Sequence, residues 1–437
     1  MISTLNPITK PKINRLFKRN HSRRNRIDTW SKSMLTPYAR PPIILSHGKG
    51  CKVWDTEGRE YLDFTAGIAV NALGHADEQG KLNSLVYCYH LAQVMYKQAQ
   101  KLVHCSNLYH NDQAGELAST LVDMTKQFGG LGLPPLANSS SASTDQETLG
   151  NHKVFFANSG AEANEGALKF ARKVGKIEDP SGNKHELVNF QEVCFTNAFH
   201  GRTFGALSVT SQPKYQLPFA PLIPGVKPGN LNDIAALPEL ITSNTCGVIV
   251  EPIQGEGGIL EASEDFLRAL RHRCHQVKAA LIYDEIQCGL GRTGNLWAHG
   301  SLPTDCHPDI LTMAKPLANG VPIGAVMMRD QIAKKIAVGP FSCPGIAIMV
   351  PPLGKGAPLQ TAIAKHVLER ICEESFMKQV QGSSEVLKKE LGRLVDKYPS
   401  LLAGPVRGKG LILGVELVRT ACCCSAVANL SSDSYPP

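Results

Sequence analysis

Between Lys153 and about Met328 the chain alternates short β-branched, apolar runs with stretches whose apolar residues recur at helical spacing. Strands separated by helices cannot pair through tight turns. They pair in parallel, and the helices then cover both faces of the sheet. The expected strands are Val154–Ala157, Val193–Asn197, Val248–Glu251, Ala279–Asp284, Ile310–Ala314 and Ile323–Met328. Ligands of such sheets collect beyond the carboxyl ends of the strands, so the residues that close these runs are where chemistry is to be sought.

The flanks read differently. From Pro41 to Thr65, apolar runs broken by glycine predict β-hairpins of a small N-terminal lobe. Helical spacing runs from Gln98 to Val122 and from Thr361 to Tyr398, Val406–Leu417 reads as a strand pair, and the Gly/Ser/Pro-rich stretch 129–150 reads as a surface loop with nothing to bury. With 437 residues, 43% of them hydrophobic, the chain can build two cores. The expected division is a leader over 1–30, the first part of a small domain and its linking segment over 36–100, and a large domain over 101–335. An atypical segment follows over 336–360, and the rest of the small domain, truncated and ending in an irregular tail, occupies 361–437.

The net charge of +8 sits at the front. Residues 1–27 hold eight Lys and Arg and no acid, and the remaining 38 basic residues balance the 38 acidic ones. An acid-free, Arg-rich leader with scattered Ser and Thr has the character of a mitochondrial transit peptide. With no basic or aromatic patch after it, nucleic acid is not an expected partner. Every apolar run is interrupted before the roughly 20 residues a membrane-spanning helix needs. The 13 cysteines include no Cys-x-x-Cys pair, and Cys422-Cys423-Cys424 has no ligand at zinc spacing, so neither disulfides nor a metal is expected.

Three run-closing residues carry chemistry. After Val154–Ala157, the sequence Asn158-Ser-Gly-Ala-Glu opens a helix with apolar positions at Ala163, Ala167, Phe170, Ala171 and Val174. Ser159 and Glu162 have capping-box spacing, and Gly160 and Ala161 leave backbone N–H groups uncovered at the positive helix end, which suits a phosphate. Asp284 closes Ala-Leu-Ile-Tyr and should face something cationic, a pyridinium N–H being one candidate; read alone, it is equally well a turn cap. Lys315 ends Ile-Leu-Thr-Met-Ala and precedes Pro316, Asn319, Gly320 and Pro322, a sharp turn. A lysine read singly belongs in solvent, but partial burial there would lower its pKa and make its amine a nucleophile. Gly289-Leu-Gly-Arg-Thr-Gly294 spells G-x-G-x-x-G, yet no helical pattern follows, which argues against a dinucleotide site.

Taken in order, Phe155-Phe-Ala-Asn-Ser-Gly-Ala-Glu-Ala-Asn-Glu-Gly-Ala-Leu-Lys, Phe199-His-Gly-Arg-Thr-Phe-Gly, Glu251-Pro-Ile-Gln-Gly-Glu-Gly-Gly, Tyr283-Asp-Glu-Ile-Gln-Cys-Gly-Leu-Gly-Arg-Thr-Gly and Met313-Ala-Lys-Pro-Leu-Ala-Asn-Gly resemble the class III, fold type I aminotransferases. With His104-Cys-Ser-Asn-Leu-Tyr, they are most similar to the acetylornithine branch of fungal mitochondria; the ornithine and 4-aminobutyrate branches are the alternatives. The resemblance implies an α/β fold with a mainly parallel seven-stranded sheet covered by helices, a small domain built from both termini, pyridoxal 5'-phosphate as cofactor, a homodimer and the mitochondrial matrix. It implies that Lys315 carries the cofactor, Asp284 pairs with the pyridine nitrogen, Gln287 approaches the ring hydroxyl and Phe199 stacks on the ring. Ser159, Gly160 and Ala161 would hold the phosphate, and Arg202 the substrate α-carboxylate. Arg407 and Glu256 would form a switch: paired, they admit an acylated side chain, and parted, they let Arg407 bind the second carboxylate of glutamate. The implied substrates are N-acetylornithine and 2-oxoglutarate, with glutamate as a product, and the implied process is arginine biosynthesis.

Three segments depart from the family pattern. Extra residues, among them Leu85-Val-Tyr-Cys-Tyr-His, lie between Asp77 and Gln98. Pro340–Pro352 stands where relatives carry a His-Gly-Thr-Thr-Phe-Gly-Gly stretch whose threonine reaches the neighbouring subunit's phosphate, and after Gly-Val-Glu-Leu the chain turns to a Cys- and Ser-rich tail. The expectation is that 79–97, 340–357 and 420–437 are gene-model errors. If they are real, the chain should be an impaired cofactor-binding remnant with weakened dimerisation.

Overall fold

The computed structural model describes residues 23–35, 37–77, 90–106, 108–136, 151–191, 198–336 and 356–418. Most of the leader, the expected strand Val193–Asn197, the segment Pro340–Pro352 and the Cys-rich tail lie outside them. The chain divides into two compact units. The first runs up to Thr65 and adds Gly74–Asp77. It contains the expected hairpins as an antiparallel sheet of β1 (Leu45–Lys49), β2 (Lys52–Asp55) and β3 (Glu60–Leu62). Asp55 fixes the β2–β3 turn by accepting from the amides of Glu57 at 2.8 Å and Arg59 at 3.0 Å and from the Tyr61 hydroxyl at 2.9 Å.

The second unit is built on seven strands: β4 (Lys153–Ala157), β5 (Glu186–Gln191), β6 (Val226–Asn230), β7 (Thr245–Val250), β10 (Ala280–Asp284), β11 (Ile310–Met313) and β12 (Gly324–Met328), in the order β4-β12-β11-β10-β7-β5-β6. The β8–β9 pair (Ile253–Gln254, Leu260–Glu261) and the β13–β14 hairpin (Leu402–Lys409, Ile412–Leu417) are separate two-stranded sheets. All neighbours in the large sheet are parallel except β12, which runs antiparallel to β11 and β4. β7, β10, β11 and β12 are wholly buried, as continuous apolar runs in a sheet covered on both faces must be.

The Gly160–Glu178 helix buries every predicted position, Ala163, Ala167, Phe170, Ala171 and Val174. Small residues let it lie close to the sheet: a Cβ on Gly247 would stand 2.7 Å from the Ala171 methyl. The opposite face is closed by Glu264–Val277, through Phe266, Leu267 and Leu270, and by Pro358–Ile371, through Ile363, Val367 and Leu368. Each such side chain contributes about 1.5–3 kcal/mol on burial.

Three expectations need correction. The helix predicted over Gln98–Val122 is two helices, His90–Ala99 and Asp112–Phe128, the second capped by Asn111 Oδ1 accepting from the Ala114 amide at 2.9 Å. The loop after Gly129 does bury apolar residues, since Leu131 and Leu133 enter the core. Helix Thr361–Tyr398 is likewise two, Pro358–Ile371 and Glu374–Lys397. Among the described residues no helix is long and apolar enough to cross a membrane.

Candidate active site

The parallel register sets Asp284, the last residue of β10, beside Thr312 of β11, three residues before Lys315. Three donors converge on the buried Asp284 carboxylate. Oδ2 accepts from His200 Nδ1 at 2.8 Å and from Asn164 Nδ2 at 2.7 Å, and Oδ1 from the Ile286 amide at 3.0 Å. Asn164, in the second turn of the Gly160–Glu178 helix, is saturated: Nδ2 also donates to the His200 carbonyl at 2.7 Å, and Oδ1 accepts from Thr312 Oγ1 at 2.8 Å. Burial pushes the His200 imidazole down, but the hydrogen bond and charge of Asp284, with Glu251 nearby, outweigh it and raise its pKa. Asp284 thus favours the charged form of His200, on the side of the carboxylate where a cation was expected.

Glu251 lies just beyond β7, fully enclosed, and accepts from the amides of Phe199 at 2.9 Å and Gly255 at 3.1 Å. Burial pushes its carboxyl up, against the pull of His200. It thereby joins the Phe199 loop to the β7 end. Gln287 packs over Gly255 so closely that a Cβ there would overlap the amide.

Lys315 is half-buried and opens the 3-10 turn Lys315–Ala318 with Pro316 behind it. Asn319, at φ 47°, ends that turn and accepts from the Leu73 amide at 2.9 Å. Nζ has no hydrogen-bond partner among the described residues. Desolvation lowers its pKa, and the charges of Asp284, Glu251 and Glu256 oppose that without reversing it. A lowered ammonium pKa leaves more neutral, nucleophilic amine at a given pH.

Ser159 caps the Gly160–Glu178 helix by accepting from the Glu162 amide at 3.2 Å. The Glu162 carboxylate reaches one residue further back than a capping box would, taking the Asn158 amide at 3.0 Å and its side-chain amide at 2.8 Å. The amides of Gly160 and Ala161 have no partner among the described residues. A Cβ on Gly160 would stand 2.8 Å from Ile286 Cδ1, so only glycine keeps this first turn open.

At the outer side, the Arg202 guanidinium lies 3.7 Å from the Tyr215 ring centre and 5.7 Å from that of Phe199. The Tyr215 hydroxyl donates to Glu256. The expected Arg407–Glu256 pair is not formed: Arg407 Nη1 bonds Glu416 Oε2 at 2.8 Å, and Nε donates to the Gly258 carbonyl at 2.9 Å. The hairpin explains this, because Arg407 stands opposite Gly414 and Glu416 is the diagonal neighbour on the same face. The G-x-G-x-x-G stretch is a run of turns, with Gly291 and Gly294 both at φ 86°, and has no following helix.

These residues fit pyridoxal phosphate. The first turn of a 19-residue helix offers uncommitted amides to a phosphate. Asp284 Oδ1, with a single donor, retains capacity for a ring N–H, and a half-buried amine stands at the next strand end. Sequence reasoning missed Asn164, His200, Tyr215 and Glu251. Only the strand-end position of Glu251 offered a signal for any of them.

A family model described as aminotransferase class-III matches residues 36–430. The chain belongs to the class-III aminotransferases. The match runs past Val418, where the resemblance read from motifs ends. The mitochondrial acetylornithine aminotransferase of Neurospora crassa is 50% identical over 384 residues, covering 88% of this chain and 74% of that protein. Among solved structures, N-acetylornithine aminotransferase from Stenotrophomonas maltophilia matches at TM-score 0.67 and 29% identity, over 92% of this chain and 86% of that one. An ornithine aminotransferase from Toxoplasma gondii, described with partial PLP occupancy at its active site, matches at TM-score 0.73 and 28% identity, over 92% and 82%. The seven-stranded, mostly parallel sheet is the fold of this family, and pyridoxal phosphate is the cofactor the family implies.

Proposed function

We propose that this class-III aminotransferase moves the δ-amino group between N2-acetyl-L-ornithine and 2-oxoglutarate, in arginine biosynthesis within the mitochondrial matrix, as a homodimer. The chemistry rests on a half-buried amine, Lys315, set beside a buried, three-donor carboxylate at the adjacent strand end. The choice of substrate and compartment rests on the names of relatives at 45–50% identity.

When bound, pyridoxal phosphate supplies an aldehyde for amines and a cationic ring that takes up the electron pair of the broken C–H bond. The Gly160 and Ala161 amides would hold its phosphate, Asp284 its ring N–H and Phe199 its ring face, with Gln287 at the ring hydroxyl. The His200–Asp284 pair and Asn164 keep the carboxylate in place. Lys315 Nζ, whose pKa desolvation lowers, accepts the proton from the substrate carbon and returns it to the neighbouring position. Arg202 orients the α-carboxylate in a bidentate pair, and Arg407, leaving Glu416, takes the second carboxylate of 2-oxoglutarate or glutamate.

The likeness to ornithine aminotransferase, whose TM-score exceeds that of the acetylornithine enzyme from Stenotrophomonas, supports ornithine as a second donor. Side-by-side kinetics on acetylornithine, ornithine and 4-aminobutyrate test the proposal, with acetylornithine expected to give the highest kcat/KM. Faster turnover of another donor reassigns the substrate, and a cofactor-loaded, folded protein that turns over none of them supports an impaired remnant.

A further inference from the structure

Tyr215 touches both charged groups at the mouth of the site. Its half-buried ring carries the exposed Arg202 guanidinium at 3.7 Å and stands edge-on to Phe199 with ring centres 6.0 Å apart. Its hydroxyl donates to Glu256. Lys214 Nζ lies 4.6 Å from the same ring, so the aromatic face sits in a cationic setting. An arginine on a flexible stem must be immobilised before it can meet a carboxylate in bidentate fashion, and stacking against a fixed ring does this in advance. The hydroxyl acts on the other charge. An exposed Glu256 with no such donor could turn toward Arg407, whose Nη1 is held by Glu416.

We infer that Tyr215 is a specificity-positioning residue: its ring presets Arg202 for a carboxylate, and its hydroxyl holds Glu256 away from Arg407 so that dicarboxylates can bind. This rests on the proposed reading that Arg202 and Arg407 are the carboxylate ligands. The ring and the hydroxyl make separable contributions. Tyr215→Phe keeps the stack and releases Glu256, so only the ligand with a second carboxylate should suffer. Tyr215→Leu removes both contributions, so acetylornithine should suffer as well.

The experiment uses cofactor-loaded enzyme and two readouts: steady-state kinetics, and calorimetric binding of glutarate, a dicarboxylate with no amino or keto group to react. For Tyr215→Phe the expected result is a several-fold rise in KM for 2-oxoglutarate, falling on KM rather than kcat, with a matching several-fold weakening of glutarate and little change in KM for acetylornithine. For Tyr215→Leu, KM should rise for both substrates. Arg202→Ala and Arg407→Ala run alongside, and thermal unfolding identifies any variant that fails to fold. If Tyr215→Phe binds glutarate like the parent while the two arginine variants lose it, the role of Tyr215 is overturned and the carboxylate reading stands. If the arginine variants also bind glutarate normally, both are overturned.

Discussion

His200 Nδ1 lies 2.8 Å from Asp284 Oδ2, and both side chains are buried at the carboxyl end of β10. A charged pair taken out of water is held by its geometry, and removing one member leaves the other uncompensated. His200→Ala should therefore destabilise the protein by about 3–5 kcal/mol and weaken cofactor binding, as read by chemical denaturation and a cofactor titration. Unchanged values in both would remove the pair from the site's foundation.

Asn164 sits 2.7 Å from the same Asp284 oxygen, and its amide donates to it. Asn164→Asp keeps the shape but sets two carboxylates against each other, which raises the pKa of one of them. The folded variant then holds a proton that the unfolded chain releases above the ordinary carboxylate pKa, so the penalty grows as pH rises. Denaturation from pH 5 to 8 should show the variant closest to the parent at the acid end. Equal deficits at both ends would contradict the contact.

How much of this site is legible in the sequence depends on which residues make it. Asp284 and Lys315 each close an apolar run and Ser159 opens a helical one, so local pattern marks their positions, while the motifs taken together, not any residue read singly, give them their roles. Asn164 and His200 matter through contacts 120 and 84 residues away, which no local period encodes. The β6 strand escaped for another reason. It lies at the sheet edge, where Pro228 and Gly229 are tolerated, although within a run they argue against a strand. For Arg407 the resemblance implied Glu256, and the register of β13 and β14 places Glu416 beside it instead.

Gly160 illustrates a position where stability and function pull apart. Alanine is the better helix former by about 1 kcal/mol, but its Cβ would meet Ile286 at 2.8 Å in the turn assigned to the phosphate. Gly160→Ala should leave apo-protein thermal stability near the parent value while weakening cofactor binding by about tenfold, or roughly 1.4 kcal/mol. Cofactor titration monitored by fluorescence checks it, and an unchanged Kd would place the phosphate elsewhere.

His152 is buried with neither ring nitrogen partnered among the described residues, and burial, with Arg329 and Lys126 nearby, pushes its pKa down to about 4 from 6.5. His307, also buried and close to His299, is pushed down to about 3. Groups whose folded pKa is lowered in this way contribute stability that is present above pH 6.5 and is lost as pH falls toward 4 and 3, because the unfolded chain takes up the proton first. His152→Leu should flatten that acid limb and, by removing two unsatisfied nitrogens, raise stability at neutral pH by about 1 kcal/mol. Urea unfolding of both proteins from pH 4 to 8 checks this, and parallel curves would exclude His152 as a contributor.

The account turns on Lys315 Nζ, the half-buried amine one strand away from Asp284. Borohydride reduction of the cofactor-loaded protein, followed by peptide mass spectrometry, should find the pyridoxyl mass on Lys315 and lose it in Lys315→Ala. Pyridoxyl on a different lysine, or on none in a folded, cofactor-treated sample, would contradict it.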